Sequence, residues 1–183
     1  MKTLFFRASV WTLMSMSSLG FSIVHFELPW VNAESETNAV YQSSQYSGAV
    51  WVIETFFLGC PYCNDNAPNV NALQQHFKND ARVQILDVGI DQSDSSYAEW
   101  IRRHKPNHAV LKDASRKLVR QLGTTSYPTT YVLDQKLNVV YKSTGVWSSK
   151  TTAQIKTAVE KALEPQESTL LVEGTSSNCE LAR

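Results

Sequence analysis

No surplus of basic charge marks this sequence: 17 Lys and Arg stand against 17 Asp and Glu, and no Lys/Arg cluster stands out. A nucleic-acid binder needs a basic face to neutralise phosphates, so that class is excluded and partners are proteins or small thiols. Cysteine is scarce, with three in 183 residues. No second CxxC accompanies the pair Cys60 and Cys63. A structural zinc takes four ligands, so a zinc ribbon, which needs a second CxxC, lacks half its donors here. His76, His104 and His108 have no Cys or acid at a ligand or triad spacing and read as surface or packing residues. No internal repeat is present, which leaves one domain of about 100 to 150 residues once the ends are set aside.

The ends are distinctive. Met1 to Arg7 carries Lys2 and Arg7 without an acid, and Ala8 to Val24 is apolar, Ser-containing and uncharged. That is the layout of an export signal, and Val31-Asn32-Ala33 offers small or modest residues at the cut-site positions. We expect a signal peptide over 1–33 cleaved after Ala33, and a periplasmic or secreted protein. An uncleaved anchor is the alternative, the one case in which the chain would touch a membrane. Residues 34–47 are polar and without period, and predict a flexible lead-in. The folded domain is expected over 48–164, and a flexible tail, holding an unpaired Cys179, over 165–183.

Within the domain, Ala49 to Phe57 is a near-continuous apolar, β-branched run, the pattern of a strand covered on both faces. A helix follows from Pro61, with Tyr62, Val70, Leu73 and Phe77 on one broad face and Pro68 as an expected bend. Val83 to Ile90 predicts a second strand, and Ser93 or Asp94 caps a helix to His104. A short extended piece at Ala109 to Leu111 precedes a helix capped by Asp113 and closed by Gly123. Thr129 to Leu133 and Val139 to Ser143 predict an antiparallel hairpin, and Thr151 to Leu163 a last helix. Such an order describes an α/β domain: a mixed central sheet with helices on both faces.

Chemistry concentrates at Cys60-Pro61-Tyr62-Cys63. Thiol exchange needs a thiolate to attack and a second thiol near enough to release the mixed disulfide, and two intervening residues at a helix start meet both needs. Cys60, at the strand-helix turn, would have its thiolate stabilised by unpaired amides and the helix dipole. Pro61 suits a first helical position, where its missing N–H has no partner anyway. Cys63, one turn later, is then the resolving thiol. Two thiolates alone could also hold Cu(I), although no His or Met ligand lies nearby. A structural disulfide is a third option, but a loop this short restrains the unfolded chain little.

WVIETFFLGCPYC resembles the strand and active-site turn of the thioredoxin superfamily, and Ser126-Tyr127-Pro128-Thr129-Thr130 resembles its cis-proline loop. Pro128 follows Cys60 by 68 residues, a spacing similar to that of the exported TlpA-like thiol:disulfide oxidoreductases, whose short insertion would fall at about Asp91 to Leu111. The likeness spans about residues 48 to 163. It departs from that group at Gly59, where most members have Trp, and in its CPYC dipeptide, which is usual in glutaredoxins. The resemblance implies a thioredoxin fold, a cis Pro128, and Glu54 as the buried acid that handles a proton for Cys63. A Glu in an apolar strand is costly to bury ionised, which agrees with that role; the plainer alternative has Glu54 pointing to solvent at a strand end. It further implies that Pro61, Tyr62, Tyr127 and Pro128 bind substrate, the backbone of Tyr127 pairing with an extended segment.

The expected function is disulfide exchange with exported protein dithiols and a redox partner protein, without a cofactor. A glutathione-linked reductase and a Cu(I)-binding chaperone are the alternatives that the same two thiols permit.

Overall fold

Within the run from Ala49 to Phe57, Val50–Phe56 forms the central strand of a five-stranded sheet, and every residue of that strand is buried. The computed structural model describes residues 22–32 and 39–165. Ala33, the basic N-terminus and Cys179 lie outside the described residues.

In chain order the elements are β1 (Glu27–Pro29), β2 (Val40–Gln42), β3 (Val50–Phe56), α1 (Pro61–Phe77), β4 (Val83–Gly89), α2 (Asp94–His104), β5 (Ala109–Lys112), α3 (Lys117–Gln121), β6 (Thr129–Leu133), β7 (Val139–Thr144) and α4 (Ser149–Leu163). The main sheet has the order β5-β4-β3-β6-β7. β3, β4 and β5 run parallel, while β6 and β7 are antiparallel to their neighbours. This is the thioredoxin architecture that the motifs implied.

Strand alternation sorts the core into layers. Val50 and Val52 of β3 face Val70 and Leu73 of α1 and Ile155, Val159 and Ala162 of α4. Trp51 and Ile53 face the other way, onto Leu118 and Val119 of α3 and onto Ile23, Phe26 and Leu28. A third cluster sits at the C-terminal end of the parallel strands: Phe56 and Val110 pack with Tyr97 and Trp100 of α2, Ala67 of α1 and both cysteines.

Local signals act where they were expected. Ser93 Oγ accepts the Ser96 N–H at the start of α2. Asp113 holds α3 by accepting the backbone N–H groups of Lys117 at 2.8 Å and Val119 at 3.0 Å. α3 itself is shorter than its sequence pattern, because that carboxylate satisfies amides that a longer first turn would otherwise use. α1 continues through Pro68, whose ring is exposed. Gly89 ends β4 because a Cβ there would overlap the Tyr97 ring, so its absence lets α2 settle on the sheet.

The N-terminal boundary differs from the sequence expectation. β1 pairs antiparallel with β2, Trp30 bridges Leu111, and the Val31 N–H donates to the Val110 carbonyl at 2.9 Å. Asn32 accepts the Val110 N–H and donates to the His108 carbonyl, each at 2.8 Å. Tyr41 stacks on Tyr46 at 5.0 Å, and both meet Trp51 edge-on. The packed domain therefore begins by Ser22 rather than at 48, and residues 39–47 belong to it rather than to a flexible lead-in. A cut after Ala33 would remove a strand and three buried apolar side chains, Ile23, Phe26 and Leu28. The cause is physical: Ile23, Phe26, Leu28 and Trp30 extend the apolar run of the leader, and hydropathy does not separate an export segment from a strand that covers a core.

Leu28→Ala, in this first strand, is expected to destabilise the domain by about 2 to 4 kcal/mol in urea unfolding. A change below about 0.5 kcal/mol, the ordinary surface value, would show that the strand is dispensable.

Candidate active site

β3 delivers the chain to the site through the turn Phe57-Leu58-Gly59, and two bonds fix that turn. The Leu58 N–H donates to Asp91 Oδ2 at 2.8 Å, and the Cys60 N–H to the Phe57 carbonyl at 3.1 Å. Cys60 is the N-cap of α1 with Pro61 at its first position. Cys60 and Cys63 are joined in a disulfide with Cα atoms 5.2 Å apart. The Cys63 backbone N–H points at Cys60 Sγ, 3.1 Å away. A helix-terminal amide aimed at sulfur, together with the dipole, stabilises negative charge on Cys60 once the disulfide opens. The two cysteines are 3% and 1% exposed, so Cys63 is the deeper by a small margin.

Beneath the disulfide, Cys63, Asn66, Ala67, Val70 and Leu73 form the buried stripe of α1. Asn66 lies one turn after Cys63 on that stripe, and its Nδ2 donates to Glu54 Oε2 at 2.5 Å. Thr130 Oγ1, paired with Glu54 across the β3–β6 ladder, donates to the same oxygen at 3.3 Å. Trp147 locks both partners: its indole N–H donates to Thr130 Oγ1 at 2.8 Å and its backbone N–H to Asn66 Oδ1 at 2.9 Å. Both bonds to Glu54 converge on Oε2, which leaves Oε1 to carry the proton of a neutral carboxyl.

Glu54 is buried rather than solvent-facing. Burial drives its pKa well above the ordinary carboxylate value, the neighbouring Asp87 raises it further, and the bonds from Asn66 and Thr130 oppose the shift. A carboxyl so placed keeps its proton at pH values where a surface Glu has lost it.

Around the sulfur pair the surface is aromatic. Tyr62 is 66% exposed and Phe57 36%. Phe57 meets Tyr127 edge-on at 5.7 Å, and burial raises the Tyr127 phenol pKa. The Tyr127–Pro128 peptide is cis, and the Pro128 carbonyl accepts the Gly145 N–H at 2.9 Å. Pro61 is exposed, whereas Pro128 is buried.

With that geometry described, the relatives can be placed. The model of the AhpC/TSA family matches residues 20–142. The chain belongs to that family. No curated protein matches. Among solved structures, a Chlorobium tepidum protein described as a DsbE-type thiol:disulfide interchange protein is 19% identical, with a TM-score of 0.68 over 79% of this chain and 96% of that one. A Neisseria meningitidis protein described as a thioredoxin is 20% identical, with a TM-score of 0.65 over 81% and 93%. A secreted Mycobacterium tuberculosis disulfide oxidoreductase homologous to Escherichia coli DsbE is 14% identical, with a TM-score of 0.59 over 74% and 95%. At these identities the likeness is one of fold. As an AhpC/TSA family member with a CxxC disulfide, the chain is an oxidoreductase of thioredoxin type.

Several residues of the site were not singled out in the sequence. Asn66 and Trp147 tie Glu54 to α1 and to the start of α4, and Asp91 holds the turn before Cys60. His108 is no surface residue: its Nε2 lies 2.8 Å from Asp87 Oδ2, with both side chains buried. The argument that marked Glu54, an acid inside an apolar strand, applies equally to Asp87 in β4.

The raised pKa of Glu54 has a definite consequence for stability. Below about pH 4.5 the carboxyl is protonated in folded and unfolded chains alike; above it the unfolded chain releases the proton first, so stability falls as pH rises. Glu54→Gln removes that dependence. Its stability relative to wild type is expected to grow as pH rises above about 4.5, by about 1.4 kcal/mol for each unit over which native Glu54 alone keeps its proton. Urea unfolding of the oxidised proteins checks this, and a pH-independent difference would contradict it.

Proposed function

We propose that this protein exchanges disulfides with exported proteins, with Cys60 as the exchanging sulfur, Cys63 as the resolving one and Glu54 as its acid and base. The observation that carries the reading is Cys60 at the cap of α1, disulfide-bonded to a Cys63 that stands one helical turn before the Asn66–Glu54 bond.

In the reductive direction, a substrate thiolate attacks Cys60 Sγ. A substrate–Cys60 bond forms, the Cys60–Cys63 bond breaks, and Cys63 leaves as a thiolate that takes the Glu54 proton. In the other direction Cys63 gives its proton to the Glu54 carboxylate and attacks the mixed disulfide. That restores the Cys60–Cys63 bond and frees the substrate sulfur as a thiolate. Charge appears at Cys63 in a dry environment during each crossing, so a proton donor there lowers the barrier.

Phe57, Tyr62 and Tyr127 supply an apolar rim for a protein substrate, and the Tyr127 backbone before Pro128 supplies an edge with which an extended segment can pair. Export is supported by the basic and apolar N-terminal run and by the secreted relative. The packing of residues 22–32 favours a cut before Ser22, or a retained anchor, over a cut after Ala33.

Trapping with Cys63→Ser tests the roles. A stalled mixed disulfide on Cys60 is expected with protein substrates and none with Cys60→Ser, while identical behaviour of the two variants would overturn the assignment. Capture of glutathione alone would favour the glutathione-linked alternative, and stoichiometric Cu(I) retained by the reduced protein would favour the chaperone. The measured potential fixes direction: about −270 mV marks a reductant and about −120 mV an oxidant. Glu54→Gln is expected to slow reduction of the Cys60–Cys63 bond by about 100-fold at neutral pH, followed by stopped-flow fluorescence.

A further inference from the structure

Glu54 is not the only acid inside the sheet. Asp87 of β4 is its direct partner in the parallel β3–β4 register, on the same face, and it is 1% exposed. Its Oδ2 is bonded to His108 Nε2, while its Oδ1 has no hydrogen-bond partner. His108 immediately precedes β5 and lines a cavity of about 260 Å³ at the far edge of the sheet, with Trp30, Tyr41 and Asp80. A line of titratable groups thus runs from the disulfide through the sheet layer to that cavity: Cys63, Glu54, Asp87, His108.

We propose that Asp87 and His108 are positioning residues of the redox site, which set the protonation of Glu54 from the side away from the cysteines. The proposal rests on the reading of Glu54 as the proton partner of Cys63.

Two carboxylates adjacent in a dry layer cannot both be ionised without a compensating cation. His108 is the one imidazole bonded to either of them. When its ring is protonated, Asp87 and His108 form a neutral pair, and Glu54 is neutral by holding its own proton. No charge is then left uncompensated in the layer.

The other groups facing this line do not take over the task. Asn66 of α1, Thr130 of β6 and Trp147 before α4 hydrogen-bond around Glu54 without titrating. On α2, His104 is influenced by Asp87, but burial and Arg103 depress its pKa, and its Nε2 makes no bond. Asp87 therefore acts on Glu54 through space, and His108 acts on Asp87 through a bond.

The direct test is the titration of the Glu54 carboxyl by ¹³C NMR in the oxidised full chain, where no thiol titrates at the site. Asp87→Asn keeps the shape and an acceptor for His108 but removes the charge, and the Glu54 midpoint is expected to fall by at least about one pH unit. His108→Gln can still donate to Asp87 but takes no proton, so the midpoint is expected to rise, and this variant decides the matter if Asp87→Asn does not fold. A midpoint that stays within about 0.3 units of wild type in the folded variants would overturn the proposal. An unchanged reduction rate in Glu54→Gln would instead overturn the role of Glu54 toward Cys63, a separate outcome that the midpoint does not depend on. Loss of stability alone in Asp87→Asn, with the midpoint unmoved, would leave Asp87 a packing residue and equally overturn the proposal.

Discussion

A carboxyl group enclosed between the central strand and the active-site helix must find partners on every element that encloses it, because water is excluded and an unpaired polar group there is costly. Glu54 meets this demand through Asn66 of α1 and Thr130 of β6, and Trp147 ties those two together. Four segments far apart in sequence are thereby bound to one point under the disulfide. The sheet register, the rotation of α1 about its axis and the position of the Gly145–Ser148 loop all depend on this arrangement.

Rigidity below the site contrasts with the surface above it. Cys60 and Cys63 sit on an apolar floor made of Phe56, Ala67, Tyr97, Trp100 and Val110, and Trp100 is further bonded to Asn64 on α1 at 2.9 Å. The rim is made of exposed rings that take part in few polar bonds. A fixed floor keeps the sulfur geometry constant, while an aromatic rim tolerates many partners, since ring contacts depend on area more than on direction.

Much of the fold was legible in the sequence because its signals are local. The β-branched run of β3, the Ser93 and Asp113 caps and the CPYC turn each specify their own segment. The cysteine pair was readable for the same reason, and Glu54 stood out against an apolar strand. Asp87 and His108 did not, because their meaning arises from register: the β3–β4 pairing sets Asp87 beside Glu54, and the approach to β5 brings His108 onto Asp87. The near alternation of Val83 to Ile90 makes Asp87 look like an outward residue, which it would be in a sheet with one wet face. The first strand was hidden by composition, since its apolar residues continue the apolar run that precedes them in the sequence.

That first strand also ties the two ends of the domain in time. Ser22 bridges Asn138, Trp30 bridges Leu111 and the Ile23 N–H is bonded to the Leu137 carbonyl, so this segment, besides pairing with β2, is held by chain that follows some 80 to 115 positions later. Contacts of such long separation form late and slowly. A chain that emerges from its N-terminus cannot close this edge until most of its length is available.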